Sequence, residues 1–167
     1  MTQGEAEAVH VLIAAALTYA LGFERSVRGA SAGDRVFALV GVAAGIVGVF
    51  AVHGAPNALQ GALTGIGFIG GGVVFRQAQG QLSMVRGLTT AAALFAAVAI
   101  GGAAGAGRLL LATAATAMAM LVLEMRYVRV LRLLDGRRWQ SRFAHDESPP
   151  GSRRTAAGDP DGEADDR

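Results

Sequence analysis

The chain has 167 residues, 52% hydrophobic and only 17% charged, with 24 glycines, 15 arginines, no lysine and no cysteine. A soluble domain carries about 25% charged residues. Here the shortage is concentrated, since residues 36–75 and 87–107 contain no Asp, Glu, Lys or Arg at all. Such runs exclude an ordinary hydrated surface and read as membrane-embedded, while the missing cysteine excludes disulfide frameworks, thiolate catalysis and Cys-based zinc sites.

The first apolar segment covers residues 8–23. Its leader, Thr2-Gln3-Gly4-Glu5-Ala6-Glu7, is acidic, whereas a secretory signal needs a basic leader, so the segment reads as a span. The second segment covers 36–52 and the third 58–75, joined by the turn His53-Gly54-Ala55-Pro56-Asn57. The fourth covers 88–106 and the fifth 109–125. Between them lies Gly101-Gly102-Ala103-Ala104-Gly105-Ala106-Gly107-Arg108, a run that admits either two spans or one long, broken apolar region. Each segment is 16–19 residues long, enough to cross a hydrocarbon core of about 30 Å. In lipid every backbone polar group must be paired within the segment, so the spans are expected to be helices. The expected fold is all-α, a polytopic bundle of about five transmembrane helices over residues 1–125.

Arginine placement decides the span count. With five spans, Arg25, Arg28 and Arg35, then Arg76 and Arg86, then every arginine from Arg126 onward fall on one side, leaving only Arg108 on the other. The positive-inside rule then puts the N-terminus outside and the C-terminus in the cytoplasm, with the protein multi-pass in a cytoplasmic membrane. Merging the last two spans would send the basic C-terminal segment outside, against that rule.

Beyond the spans, residues 126–145 read as a basic juxtamembrane helix. Arg126, Arg129 and Arg132 form one stripe and Val128, Val130, Leu131, Leu133 and Leu134 the other. Tyr127 and Trp139 are placed as interface anchors, and the same stripe is a candidate contact for anionic lipid or an acidic protein segment. Residues 146–167 combine 3 arginines with 7 acids and little to bury, the composition of a disordered acidic tail. Membrane lipid, membrane proteins or further copies of the chain are the expected partners. Nucleic acid is not among them.

Gly65-Ile66-Gly67-Phe68-Ile69-Gly70 matches G-x-G-x-x-G, but no βαβ unit surrounds it and residues 85–92 lack the acid a dinucleotide fold requires. The better reading is helix packing. Gly61 and Gly65, and Gly67 and Gly71, are i, i+4 pairs, as are Gly41/Gly45 and Gly101/Gly105, and glycines so spaced let another helix approach closely. Packing within the subunit, oligomerisation, and a locally unwound Gly70-Gly71-Gly72 beside a polar site all remain open. A second constellation gathers Glu24, Arg25, Arg35, Arg76 and Arg86 near one membrane face. Glu24 needs a cationic partner there, and the cluster either locks the helix ends together or forms a polar functional site. Thr89 and Thr90 open the fourth helix, where they either cap it, bond back to a carbonyl, or face the cluster.

Magnesium prefers oxygen ligands, one or two carboxylates among them. Between residues 8 and 123 the only acids are Glu24 and Asp34, against six arginines. The acid content therefore does not support a Mg²⁺ cage, no metal ligand set is assigned, and no cofactor is implied. His10 and His53 read as interfacial histidines. No nucleophile–base pair or phosphate loop is present, and the chain is expected not to be an enzyme.

Four stretches, in order, resemble the MgtC/SapB family of bacterial membrane proteins. They are Gly22-Phe23-Glu24-Arg25; Arg35 followed by Ala38-Leu39-Val40; Gly65-Ile66-Gly67-Phe68-Ile69-Gly70-Gly71-Gly72-Val73-Val74-Phe75-Arg76; and Val85-Arg86-Gly87-Leu88-Thr89-Thr90-Ala91-Ala92. The resemblance covers about residues 9–125 and implies a bundle of about five helices. It departs at Asp34-Arg35-Val36-Phe37, where the family commonly has Leu-Arg-Thr-His, and at Phe95, where it often has Trp. Longer members add a cytoplasmic ACT-like domain after the spans. Here a basic stretch and a polar tail follow, so that domain's functions are not carried over. The resemblance implies a link to magnesium homeostasis and growth at low Mg²⁺, either as a modulator of membrane partners or as a transporter of Mg²⁺ or another ion.

Overall fold

The computed structural model describes residues 2–78 and 87–125, and within them all regular structure is helical. α1 spans Gln3–Val27, α2 Asp34–Val52, α3 Asn57–Ala78, α4 Leu88–Gly105 and α5 Leu109–Glu124. The expected juxtamembrane helix 126–145 and tail 146–167 lie outside the described residues. α1 outruns its apolar segment at both ends. At the start, the Glu5 amide donates to Thr2 Oγ1 while the Thr2 amide donates to Glu5 Oε2, a reciprocal cap that lets the acidic leader continue the helix. At the other end Glu24 and Arg25 remain helical.

Three helices end alike. Gly29, Gly54 and Gly107 take φ of +64°, +100° and +75°. The next amide in each case reaches back to a carbonyl inside the helix: Ala30 to Arg25 at 3.0 Å, Ala55 to Phe50 at 3.0 Å, and Arg108 to Ala103 at 2.9 Å. This is the Schellman closure, which needs a left-handed residue that glycine supplies at least cost. Gly107 thereby ends α4 and settles the ambiguous run 101–108: residues 101–105 finish α4, and only 106–108 form the turn into α5.

α4 is the central helix, packed by α1, α2 and α3. Its Leu94, Ala97 and Ala104 have no exposed surface, and Phe37 of α2 and Leu21 of α1 fill the core beside them. The closest seam joins α2 to α4 through Gly41, Gly45 and Gly48 on one side and Gly101 and Gly105 on the other. A Cβ placed on Gly101 would lie 2.8 Å from Ala44 Cβ, and one on Gly48 would lie 3.0 Å from the Ala106 nitrogen. One on Gly105 would overlap the Gly45 carbonyl group. α1 meets α2 as closely, since a Cβ on Gly22 would stand 2.6 Å from Phe37 Cβ. Apolar lipid gives helices no hydrophobic reason to associate, so backbone-to-backbone contact through small residues supplies the packing. Buried hydroxyls are satisfied locally: Thr18 Oγ1 donates to the Ala14 carbonyl at 2.9 Å and Thr116 Oγ1 to Ala112 at 2.8 Å. α5 is peripheral and fully buries only Ala112 and Thr116.

Candidate functional site

Of the five charged residues expected to converge, the structure brings two together. Glu24 is 5% and Arg25 8% exposed. The carboxylate accepts from Arg25 Nε and, at 2.5 Å, from Arg25 Nη2, so a two-point ion pair is held at the end of α1. Arg28, one turn on, adds Nε at 3.5 Å from Glu24 Oε1, a partner the sequence reading placed in the loop. Arg35 is exposed, and among the described residues no ion pair involves its guanidinium. The side chain of Arg76 and all of Arg86 lie outside the described residues.

The start of α2 is fixed by α1. The Asp34 amide donates to Ser26 Oγ at 2.9 Å, the Ser26 hydroxyl faces Asp34 Oδ1 at 3.3 Å, and the Arg35 amide donates to the same Oδ1 at 2.9 Å. Asp34 is thus spent on positioning α2, and Glu24 on the two arginines. Both acids between residues 8 and 123 are engaged, and among the described residues no group of three His, Asp or Glu side chains is placed to hold a metal.

The threonines of α4 separate. Thr90 is buried and Thr89 is exposed. Neither is the cap: the N-cap is Gly87 at φ +90°, with no side-chain hydrogen bond to the first turn. The capping role expected of them is therefore corrected, because the left-handed turn at Gly87 starts the helix one residue before Leu88.

The motif glycines of α3 also depart from the closest packing. A Cβ on Gly61, Gly65, Gly67 or Gly72 would meet no other atom within 4 Å. Gly70 has such a neighbour, with Ala91 Cβ at 3.4 Å, and Gly71 is half-buried. No unwinding occurs at 70–72, which is continuous α-helix. α3 packs inward through Ile66, Gly70 and Leu59, the last reaching Gly102 of α4. Gly61, Gly65, Phe68 and Gly72 recur at i, i+4, i+7 and i+11 and so share the other face, where Phe68 is 88% exposed.

At the opposite end of α1, His53 Nε2 lies 2.8 Å from Glu7 Oε1 and 3.3 Å from Gln3 Nε2, tying the first turns of α1 to the end of α2. Sequence reading left both groups as separate surface residues. The signal was their opposite character on the same side of the charge-based topology.

Outward faces are apolar throughout: Leu12, Leu39, Phe68 and Leu110 are each more than two-thirds exposed, an arrangement water penalises and hydrocarbon accepts. α1, α2 and α4 are long and apolar enough to cross a membrane, and α5 is a shorter apolar helix. Fold and surface together define a helical membrane protein. The profile of the MgtC family matches residues 11–129, and the chain belongs to that family. It is 30% identical over 140 residues to "Putative magnesium transporter YhiD" of Escherichia coli (strain K12), covering 76% of this chain and 63% of that protein. It is 38% identical over 107 residues to "Protein MgtC" of Brucella abortus (strain 2308), covering 61% of this chain and 43% of that protein. An uncharacterized protein of Haemophilus influenzae is 29% identical over 129 residues, 69% of this chain and 53% of its own length. The chain thus spans less than two-thirds of each of these relatives. No solved structure matches it significantly.

Proposed function

We propose that the protein is a non-enzymatic, multi-pass component of the bacterial cytoplasmic membrane that serves magnesium homeostasis by binding other membrane proteins. Its N-terminus faces outward and its basic loops face the cytoplasm. The magnesium link rests on family membership and on the printed name of the Escherichia coli relative. The observation that carries the modulator reading is the open face of α3, which holds Gly61 together with Gly65 and Gly72 of the most specific family motif, and where, among the described residues, a Cβ on any of the three would meet nothing within 4 Å. A helix face of that composition suits close approach by another transmembrane helix. The Glu24–Arg25–Arg28 group holds the α1 end in place for it.

Transport of Mg²⁺ is the second reading, favoured by the relative's name. Engagement of Glu24 by two arginines and the use of Asp34 at the start of α2 weigh against it. The two separate in one experiment. Purified protein in liposomes under an imposed Mg²⁺ gradient is expected to show no flux, while Gly65→Leu or Gly72→Leu abolishes growth at low Mg²⁺ and co-purification of partners more strongly than Asn57→Leu at equal expression. Flux that Glu24→Gln removes establishes the transporter instead. Equal phenotypes for the three substitutions overturn the role of the glycine face.

A further inference from the structure

A groove of about 380 Å³ runs along α4 and α5, closed at its back by Leu21 of α1. Five alanines (Ala92, Ala93, Ala96, Ala115 and Ala119) form most of its wall, and Met118, Val122 and Leu123 complete it. Its one side-chain hydroxyl is that of Thr89 at one end. The volume exists because small residues face one another where larger ones would interlock. The groove is open on its outer side, where Met118 is 62% and Val122 55% exposed, so in a membrane it is filled by whatever lies against it. Water is a poor candidate, since a buried water needs two to four polar partners and the groove offers Thr89 alone.

The groove's dimensions fit one leaflet. It follows α4 from Thr89 to Ala96 and α5 from Ala115 to Leu123, about 10–12 Å at 1.5 Å per residue. Half of a hydrocarbon core of about 30 Å is about 15 Å. The end marked by Thr89 is the end at which α4 begins and α5 finishes, the level of the basic loops in the charge-based topology. The other end stops near mid-membrane. A site that is apolar along one leaflet and polar only at the interface matches an amphiphile lying along the membrane normal.

We propose that the groove holds one acyl chain of a cytoplasmic-leaflet phospholipid, its headgroup beside Thr89, and that this lipid is what completes the packing of α5 on the bundle. α5 buries only Ala112 and Thr116, while Leu109, Ala115, Ala119, Met120 and Leu123 reach the core partly buried. The lipid is then a fixed part of the fold and not a member of the exchanging shell around Leu12 or Leu39.

The test uses the full chain reconstituted in phosphatidylglycerol vesicles containing a trace of phosphatidylglycerol with a diazirine in its acyl chain. After irradiation, peptides carrying Ala92–Ala96 and Ala115–Val122 are expected to hold about tenfold more adduct than those around Leu39. The double variant Ala96→Phe, Ala119→Phe fills the groove and removes that excess while the Leu39 signal stays. Thermal unfolding followed by circular dichroism establishes that the variant is folded, and Met118→Phe serves as the filling variant if it is not. Equal labelling of groove and Leu39 peptides overturns the proposal. So does a crosslink between two chains when photomethionine, whose own diazirine inserts into a neighbour, replaces Met118 in a parallel sample, which assigns the groove to a second copy of the chain. Neither outcome bears on the α3 face, whose test is partner binding.

Discussion

Two sets of glycines in this bundle have the same spacing and opposite surroundings. Gly101 and Gly105 on α4 press on the backbone of Gly41 and Gly45 on α2, Gly48 presses on Gly102 of α4, and Gly41 and Gly45 turn their own open sides to Thr18 and Ala14 of α1, so that an added Cβ at any of the five would be crowded. Gly61 and, from the most specific family motif, Gly65 and Gly72 on α3 would accept a Cβ with nothing within 4 Å. Small residues at i, i+4 state that a helix can be approached closely. They do not state by what. In the first set the approaching helix is in the same chain. In the second, no helix among the described residues makes that approach, and this is why the α3 face supports a reading in terms of a partner.

The most severe way to break the comparison is on the closed side. Gly105→Ala adds one methyl group against the Gly45 carbonyl, and a backbone on a neighbouring helix cannot turn aside as a flexible side chain does. The usual cost of overpacking is about 1–3 kcal/mol, and this contact belongs above that range. Little folded monomer is expected, seen as loss of the monodisperse peak in detergent size exclusion. A variant that purifies and melts like the parent shows that α2 and α4 do not approach as described.

Next in size is Glu24→Gln, on the buried stripe of α1. Removing the carboxylate leaves Arg25, only 8% exposed, as a buried charge without its partner, and such losses cost about 3–5 kcal/mol. Thermal unfolding in detergent is expected to drop accordingly, and Arg25→Gln added to it is expected to recover part of the loss. No recovery in the double variant means that Arg28, and not Arg25, carries the pairing.

Much of this organisation is legible in the sequence because it follows from solvent and charge. The forty residues 36–75 without a charge read as apolar helices joined by a turn, and the structure makes them most of α2 and α3. The run 101–108 stays open in the sequence, and the left-handed Gly107 closes it. What the sequence leaves open is which surfaces meet. Four glycine pairs share one spacing, and only the assembled bundle shows that Gly41/Gly45 and Gly101/Gly105 close on each other while Gly61/Gly65 face outward. Glu24 was expected to need an arginine, yet five were within reach in sequence. Continuation of α1 past its apolar segment puts Arg25 and Arg28 beside it and leaves Arg35 on the next helix. The Glu7–His53 contact joins residues 46 positions apart, and nothing local encodes it.

The smallest effect is the most discriminating, because its sign reverses. Gly65→Ala is chemically the same change as Gly105→Ala. At Gly65 the added methyl meets nothing within 4 Å, the position lies inside an α-helix, and alanine costs less than glycine there by about 0.5–1 kcal/mol. The isolated protein is therefore expected to melt slightly higher than the parent. If another helix packs on that face in the membrane, the same methyl group stands in its path, and association or growth at low Mg²⁺ falls as stability rises. A gain in melting temperature with undiminished partner binding leaves the α3 face as lipid-exposed surface. A loss of both returns Gly65 to the class of Gly105, packed by something inside the same chain.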